Sequence, residues 1–119
     1  MEMKLFDSEL KVMEALWKSG SQTAGRLAKI MNEQTGWNRN TTYTIIKKLI
    51  EKGAIERCEP NFTCRALVKK AEVQQREATE LIGKLFDGAS DVFLSAYLSG
   101  KKLSQEEVSR LKQIVENLK

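Results

Sequence analysis

Residues 37–53 carry the pattern that most restricts how this chain can fold. On a helix with about 3.6 residues per turn, the aliphatic residues of this segment and one threonine fall on a single side. This apolar side consists of Thr42, Ile45, Ile46, Leu49 and Ile50. Asn38 belongs to the residue types that cap helix N-termini, and Gly53 to those that end helices. The segment is therefore predicted to form one helix whose apolar side packs on a core.

The opposite side of this helix is polar and has no acidic residue in its first two turns. Amide, hydroxyl and cationic side chains contact phosphates and base edges in DNA complexes. We therefore expect the helix to enter a groove of double-stranded DNA. The expected contact residues are Arg39, Asn40, Thr41, Tyr43, Thr44, Lys47 and Lys48. An ordinary surface helix with a threonine-rich patch would show the same pattern if the segment stood alone.

Two more amphipathic helices are predicted before this segment. The first covers residues 8–18, with Asp7 as its N-cap and a stop at Gly20. The second covers residues 24 to about 34, with Thr23 as its N-cap. Each helix has its apolar residues on one side, as expected of helices that share a core.

A β-hairpin is predicted after the third helix. Residues 54–58 and 62–68 are strand-like runs around a turn at Pro60 and Asn61. Three helices followed by a two-stranded hairpin is the order of a winged helix-turn-helix module. Cations beside the turn are expected to rest on phosphates next to the groove that the helix enters. These wing residues are Arg57, Arg65 and Lys69.

The last 50 residues or so are predicted to form a helical tail. Its helices cover roughly residues 70–86, 89–98 and 104–118, and Ser104 with Glu107 forms a capping box at the start of the last one. A segment this short rarely stabilises itself by its own core, so a second copy of the chain is expected to cover its apolar residues. The alternative is that the tail folds back on the first domain. The expected dimer contacts are Leu81, Leu85, Tyr97, Val108, Leu111, Val115 and Leu118, the last four of which have a 3-4-3 spacing.

The distribution of charge agrees with two domains, a winged-helix DNA-binding domain over residues 1–69 and a helical dimerisation domain over residues 70–119. The first holds 12 Lys and Arg against 8 Asp and Glu, whereas the second holds 8 of each. A positive head and a neutral tail are typical of a DNA-binding part joined to a protein-binding part.

Several classes of protein are disfavoured by what the sequence lacks. The chain has no histidine, and its seven glycines are dispersed at helix ends and turns and form no phosphate-binding loop. We therefore expect no enzymatic activity and no cofactor. Two cysteines are too few for a structural metal site. No apolar run approaches the roughly 20 residues that span a bilayer, and no signal peptide is seen, so the protein is expected to be cytoplasmic.

The chain resembles the penicillinase repressor family of winged-helix regulators, often called the BlaI/MecI/CopY family. The residues that carry the resemblance are Leu5, Asp7 to Met13, Leu16-Trp17, Trp37-Asn38, Thr41-Thr42, Leu49 to Gly53 and Leu103 to Glu107. The resemblance implies a repressor of β-lactam-resistance genes that a membrane-bound sensor protease releases by cutting the tail. The equivalent position here is Ala96-Tyr97, where cleaved family members often have Asn before the aromatic residue. The replacement by alanine puts recognition by such a protease in doubt.

The function predicted from the sequence is a homodimeric transcriptional repressor that binds an inverted-repeat DNA operator, one half-site per head. Two other classes stay open at this point. One is a winged helix used as a protein-interaction adaptor without DNA binding. The other is a thiol-sensing regulator that uses Cys58 and Cys64, which lie on opposite arms of the hairpin and would approach each other in some strand registers.

Overall fold

The computed structural model describes residues 3–118, within which the chain forms six helices and three short strands. The helices are α1 (Asp7–Ser19), α2 (Ala24–Thr35), α3 (Arg39–Lys52), α4 (Lys70–Phe86), α5 (Ser90–Ser99) and α6 (Gln105–Glu116). The strands are β1 (Gln22–Thr23), β2 (Ile55–Cys58) and β3 (Thr63–Ala66). The predicted fold class, mainly helical with a small β-hairpin after the third helix, is confirmed.

Both α2 and α3 begin at the capping residues that the sequence predicts. The Thr23 hydroxyl accepts a hydrogen bond from the Arg26 N–H at 3.1 Å, and the Asn38 side chain accepts one from the Thr41 N–H at 2.8 Å. Gly53 ends α3 with a φ of 82°, in the left-handed region that favours a residue without Cβ. These local bonds determine where the first turn of α3, with its polar side chains, is placed.

The start of α1 differs from the prediction. The helix begins at Asp7 and its N-cap is Phe6, so the expectation that Asp7 caps this helix is wrong. The Phe6 N–H donates instead to the carboxylate of Glu9 at 2.7 Å. Glu9 is buried and also accepts a hydrogen bond from the Lys52 ammonium at 2.6 Å. Since a buried carboxylate needs such partners, this ion pair links the start of α1 to the end of α3.

The hairpin belongs to a three-stranded antiparallel sheet with the order β1-β3-β2. Residues 59–62 connect β2 to β3 and form the tip of the wing. Strand β1 pairs with β3 through Gln22 and Thr23, which lie between the first two predicted helices and were not predicted to form a strand. Two residues are too few to show the alternation that marks a strand, so only the pairing with a distant segment reveals this one.

The apolar side of α3 lies in the core that α1, α2, α3 and the sheet share. Ile46 and Leu49 are fully buried, Ile45 is nearly so and Ile50 is half-buried. Burial of an aliphatic side chain of this size contributes about 1.5–3 kcal/mol to stability. Thr42 is buried too, and its hydroxyl has no hydrogen-bond partner among the described residues. Packing of this side determines the rotation of α3 and leaves the polar side facing outward.

The chain divides into two compact units, Met1–Glu77 and Ala78–Lys119, and the division falls inside α4. The first turns of α4 belong with the preceding fold because Val73 is buried in its core. The Lys70 ammonium also lies 2.8 Å from the Glu14 carboxylate of α1. The Trp17 indole donates a hydrogen bond to the Val68 carbonyl at 2.9 Å, which fixes the chain just before α4.

The second unit holds the end of α4 together with α5 and α6. In this unit the Phe86 ring meets the Phe93 ring, with centroids 5.3 Å apart, and the Phe93 ring stacks on the Tyr97 ring at 5.9 Å. The capping box of Ser104 and Glu107 at the start of α6 is present as predicted. The helix ends at Glu116, however, so Leu118 lies beyond it and the predicted 3-4-3 row loses its last helical position.

Candidate nucleic-acid interface

The polar side of α3 is exposed along its whole length. Asn40, Thr41, Thr44, Lys47 and Lys48 are all exposed, as is Arg39 at the first turn, whereas Tyr43 on the flank is half-buried. No acidic residue occupies the first turn of the helix. The structure therefore brings the residues predicted for DNA contact onto one continuous face.

Hydrogen bonds within α3 determine what this face offers to a ligand. The Thr44 hydroxyl donates to the Asn40 carbonyl at 2.9 Å, and the Thr41 hydroxyl lies 3.0 Å from the Asn38 side-chain oxygen. Because a hydroxyl that has used its proton keeps its lone pairs, Thr41 and Thr44 present acceptors. The Asn40 amide and the ammonium groups of Lys47 and Lys48 make no hydrogen bond or ion pair within the described residues. They remain available as donors.

Arg39 is held on the flank of this face. One nitrogen of its guanidinium group donates to the Tyr43 hydroxyl at 2.9 Å, and its carbon Cζ lies 5.0 Å from the centroid of the Tyr43 ring. A cation over an aromatic face is attracted by the ring quadrupole. The contact leaves the other guanidinium nitrogens free to donate, so Tyr43 orients Arg39.

The wing arginines are paired with carboxylates of the wing itself. Arg57 forms an ion pair with Glu59, and Arg65 forms one with Glu56 across the two strands. The hydrogen bond from Arg57 lowers the pKa of Glu59, and the hydrogen bond to Glu56 raises the pKa of Arg65. The wing therefore presents two ion pairs on its surface. Neither pairing is visible in the sequence alone.

Lys69 lies outside the hairpin, directly before α4. Its side chain is exposed, and its backbone N–H donates to the Glu72 carboxylate at 3.0 Å. That bond satisfies a backbone donor at the start of the helix. Lys69 thus lies between β3 and α4, outside the wing to which the sequence assigned it.

The two cysteines point to opposite faces of the hairpin. Cys64 pairs with Arg57, whereas Cys58 pairs with Thr63. The sequence left the register open; because neighbouring positions on a strand alternate between faces, this register does not bring the two thiols together across the ladder. Both are free; burial raises the pKa of Cys64 to about 11, which keeps it protonated near neutral pH.

The second unit exposes much of its apolar surface. None of the apolar side chains of residues 78–118 is buried, and several of the predicted dimer contacts are exposed: Leu81, Leu85, Tyr97, Val115 and Leu118. Val108 and Leu111 are half-buried. Ile114, which the sequence analysis did not select, is also exposed next to Val115. Ala96 and Tyr97, the predicted cleavage position, are exposed on α5.

The fold and this surface define a class of protein: a winged helix-turn-helix module with a polar, acid-free first turn on its third helix, followed by a helical unit. Residues 5–117 match the sequence profile of the penicillinase repressor family. The chain therefore belongs to this family, which is a family of repressors and not a class of enzymes.

Characterised relatives cover nearly the full chain. The penicillinase repressor of Bacillus licheniformis is 25% identical over 118 residues, which are 98% of this chain and 92% of that protein. The methicillin resistance regulatory protein MecI of Mammaliicoccus sciuri is 25% identical over 114 residues, which are 94% of this chain and 93% of that protein. The aligned region therefore includes most of both compact units of the chain.

Solved structures resemble about three fifths of the chain. The solution structure of the DNA-binding domain of the repressor BlaI matches with a TM-score of 0.55 at 25% identity and covers 59% of this chain and 88% of that one. Monomeric B. licheniformis BlaI, solved in complex with the blaP half-operator, matches with a TM-score of 0.53 at 24% identity, over 60% of this chain and 90% of that one. These likenesses agree with the winged-helix fold. In residues 3–118, no helix combines the length and apolar character needed to cross a membrane.

Proposed function

We propose that this protein is a transcriptional repressor that binds double-stranded operator DNA through α3 and the wing. The observation that carries the proposal is the exposed face of α3, where acceptors from Thr41 and Thr44 lie between the donors of Asn40 and those of Lys47 and Lys48. A helix is about 10–12 Å across, and the major groove is about 12 Å wide. Membership in a repressor family and the likeness to the DNA-binding domain of BlaI support this reading.

In this proposal, α3 reads base edges and the wing adds affinity. Asn40, Thr41 and Thr44 face the bases, and Lys47 and Lys48 neutralise phosphates beside them. Arg57, Arg65 and Lys69 contact the backbone next to the groove. The two arginines exchange a wing carboxylate for a phosphate, and this exchange costs little because solvent screens exposed ion pairs.

We further propose that the protein acts as a homodimer on an inverted repeat. The support is the apolar surface of the second unit, which a second copy of the chain would remove from water. Two linked heads bind two half-sites with a higher overall affinity than either head alone, since the second contact is intramolecular. Dimerisation through this unit would therefore control operator binding.

Release by proteolysis of the tail completes the proposal. A cut between Ala96 and Tyr97 would separate α6, with Val108, Leu111 and Val115, from the DNA-binding head. The support is the exposure of both residues together with the names of the relatives, which connect them with penicillinase and methicillin resistance. A sensor protease is the proposed partner, and β-lactam-resistance genes are the proposed targets.

The experiment that tests DNA binding is a gel-shift titration with the DNA upstream of the protein's own gene. Asn40→Ala and Thr44→Ala should weaken operator binding by about 1–3 kcal/mol each while leaving binding to unrelated duplex nearly unchanged. Gln74→Ala, which removes an exposed amide from α4, is the matched control and should bind like the wild type. A wild-type protein that shifts no duplex would favour the adaptor function instead.

A further inference from the structure

Phe62, at the end of the wing tip, has an unusual backbone conformation. Its φ is 51°, in the left-handed region that a bulky residue rarely enters, and Asn61 before it has a φ of 68°. Asparagine tolerates this region, whereas phenylalanine has no side-chain polar group that compensates locally. A residue keeps such a conformation only where its surroundings determine it, and these positions cluster at functional sites.

Three contacts from three different segments hold Phe62. Its carbonyl accepts a hydrogen bond from the N–H of Ala24, at the start of α2, at 2.9 Å. Its ring meets the Tyr43 ring of α3 edge to face, with centroids 5.9 Å apart and an interplanar angle of 85°. The Arg57 guanidinium carbon lies 3.8 Å from the centroid of the Phe62 ring. The wing tip is thus attached to both helices of the helix-turn-helix.

These contacts form a continuous row from α3 to the wing. The Arg39 guanidinium lies over the Tyr43 ring, and the Tyr43 ring meets the Phe62 ring edge to face. The Arg57 guanidinium in turn lies over the Phe62 ring. Edge-to-face ring pairs and cation–π contacts both have preferred geometries. A guanidinium group that stacks on a ring leaves its edge donors accessible. The Nε–H of Arg57 is bound to Glu59, and its other donors can meet an anion. The row therefore sets the distance between the Arg39 and Arg57 cations, on the flank of α3 that Tyr43 occupies.

We propose that Phe62 is a positioning residue, which places the wing and its Arg57 for a phosphate contact at a fixed distance from α3. This inference rests on the proposed DNA-binding function. An exposed arginine without such support would lose rotamer freedom when it binds, and that loss weakens binding. Because Phe62 acts through Arg57, removing its ring should have the same effect on phosphate contact as removing Arg57 itself.

The test uses the full-length protein and measures how its binding to the DNA upstream of its own gene depends on salt concentration. Phe62→Leu keeps an apolar side chain and removes the ring, and Arg57→Ala removes the cation. Each should flatten the slope of log K against log salt by about one unit, so that about fourfold less affinity is lost between roughly 50 and 200 mM salt. The double variant should show the same slope as either single one. Phe62→Tyr, which keeps a ring, should restore the wild-type slope.

Phe6, just before α1, offers a matched control. Phe6 is exposed and also carries a cation, with the Lys52 ammonium 4.3 Å from its centroid, but it lies at the start of α1. Phe6→Leu should keep the wild-type slope. The inference is overturned if either Phe62→Leu or Arg57→Ala keeps the wild-type slope. It is also overturned if the slope of the double variant is a further unit flatter than that of the single variants, or if Phe6→Leu flattens the slope as well. A wild-type protein without any DNA binding would instead overturn the proposed function.

Discussion

Replacing Val115 by aspartate tests whether α6 lies in a dimer interface. Val115 is 62% exposed in the single chain, so the substitution leaves the fold of the monomer almost unaffected. Full burial of a valine side chain contributes about 1.5–3 kcal/mol, and the exposed share therefore corresponds to about 1–2 kcal/mol per copy. Two copies lose about 2–4 kcal/mol per dimer, equal to an increase of about 30- to 900-fold in the dimer dissociation constant. The unpaired charge adds to this loss.

The measurement is sedimentation equilibrium over a range of concentrations, supported by light scattering. The wild type should have about twice the 13.5 kDa of one chain at micromolar concentration. Gln113→Asp is the matched control, because it places the same charge on the same helix but about 200° away around it. Val115→Asp should dissociate and lose operator affinity, whereas Gln113→Asp should do neither. Equal dissociation constants for Val115→Asp and the wild type would refute an interface through this side of α6, and a monomeric wild type would refute the dimer altogether.

Three further outcomes follow from other parts of the molecule. Thr42→Val should stabilise the first unit by about 1–2 kcal/mol in thermal denaturation, because it removes a buried hydroxyl that has no partner among the described residues; a lower melting temperature would show that this hydroxyl is satisfied. A chain that ends at Ala96 lacks α6 and should lose operator affinity at least tenfold, as measured by gel shift, through lost avidity. Full affinity in that chain would exclude proteolysis at this position as the switch. Stability should fall as pH rises from about 9 to about 11, because burial raises the pKa of Cys64 and the unfolded thiol ionises first. Chemical denaturation at several pH values should show a shallower decline for Cys64→Ala than for the wild type, and parallel declines would contradict the assignment.

Local signals explain why the helices of the first unit were predictable. The apolar row of α3 and the caps at Asn38 and Gly53 lie within a few residues of one another, and each acts on the backbone next to it. The same signals placed α2 correctly from Thr23. They also predicted which side of α3 is exposed, because the side chains that can enter the core all fall on the other side. The roles of those exposed residues in DNA binding stay predictions.

Pairings between distant segments were not predictable in the same way. Strand β1 exists only because Gln22 and Thr23 meet β3. Cys58 pairs with Thr63, and a shift of one residue in the strand register would pair it with Cys64 instead. A short hairpin sequence does not encode such a small shift strongly. Glu9 lies on a helix that the sequence shows as amphipathic, and its burial depends on Lys52, far away in the chain.

The sequence by itself determined the order of the helices and the hairpin, the capped ends of α2 and α3, the polar face of α3 and the family resemblance, because these depend on spacing within short segments. Only the tertiary structure decided which carboxylates pair with the two wing arginines. Arg57 and Arg65 carry positive charge in the sequence, but the fold places Glu59 and Glu56 against them. It also brings Phe62 onto Tyr43. Side-chain contacts of this kind depend on register and on how helix and sheet pack, since a shift of one residue turns every strand side chain to the other face.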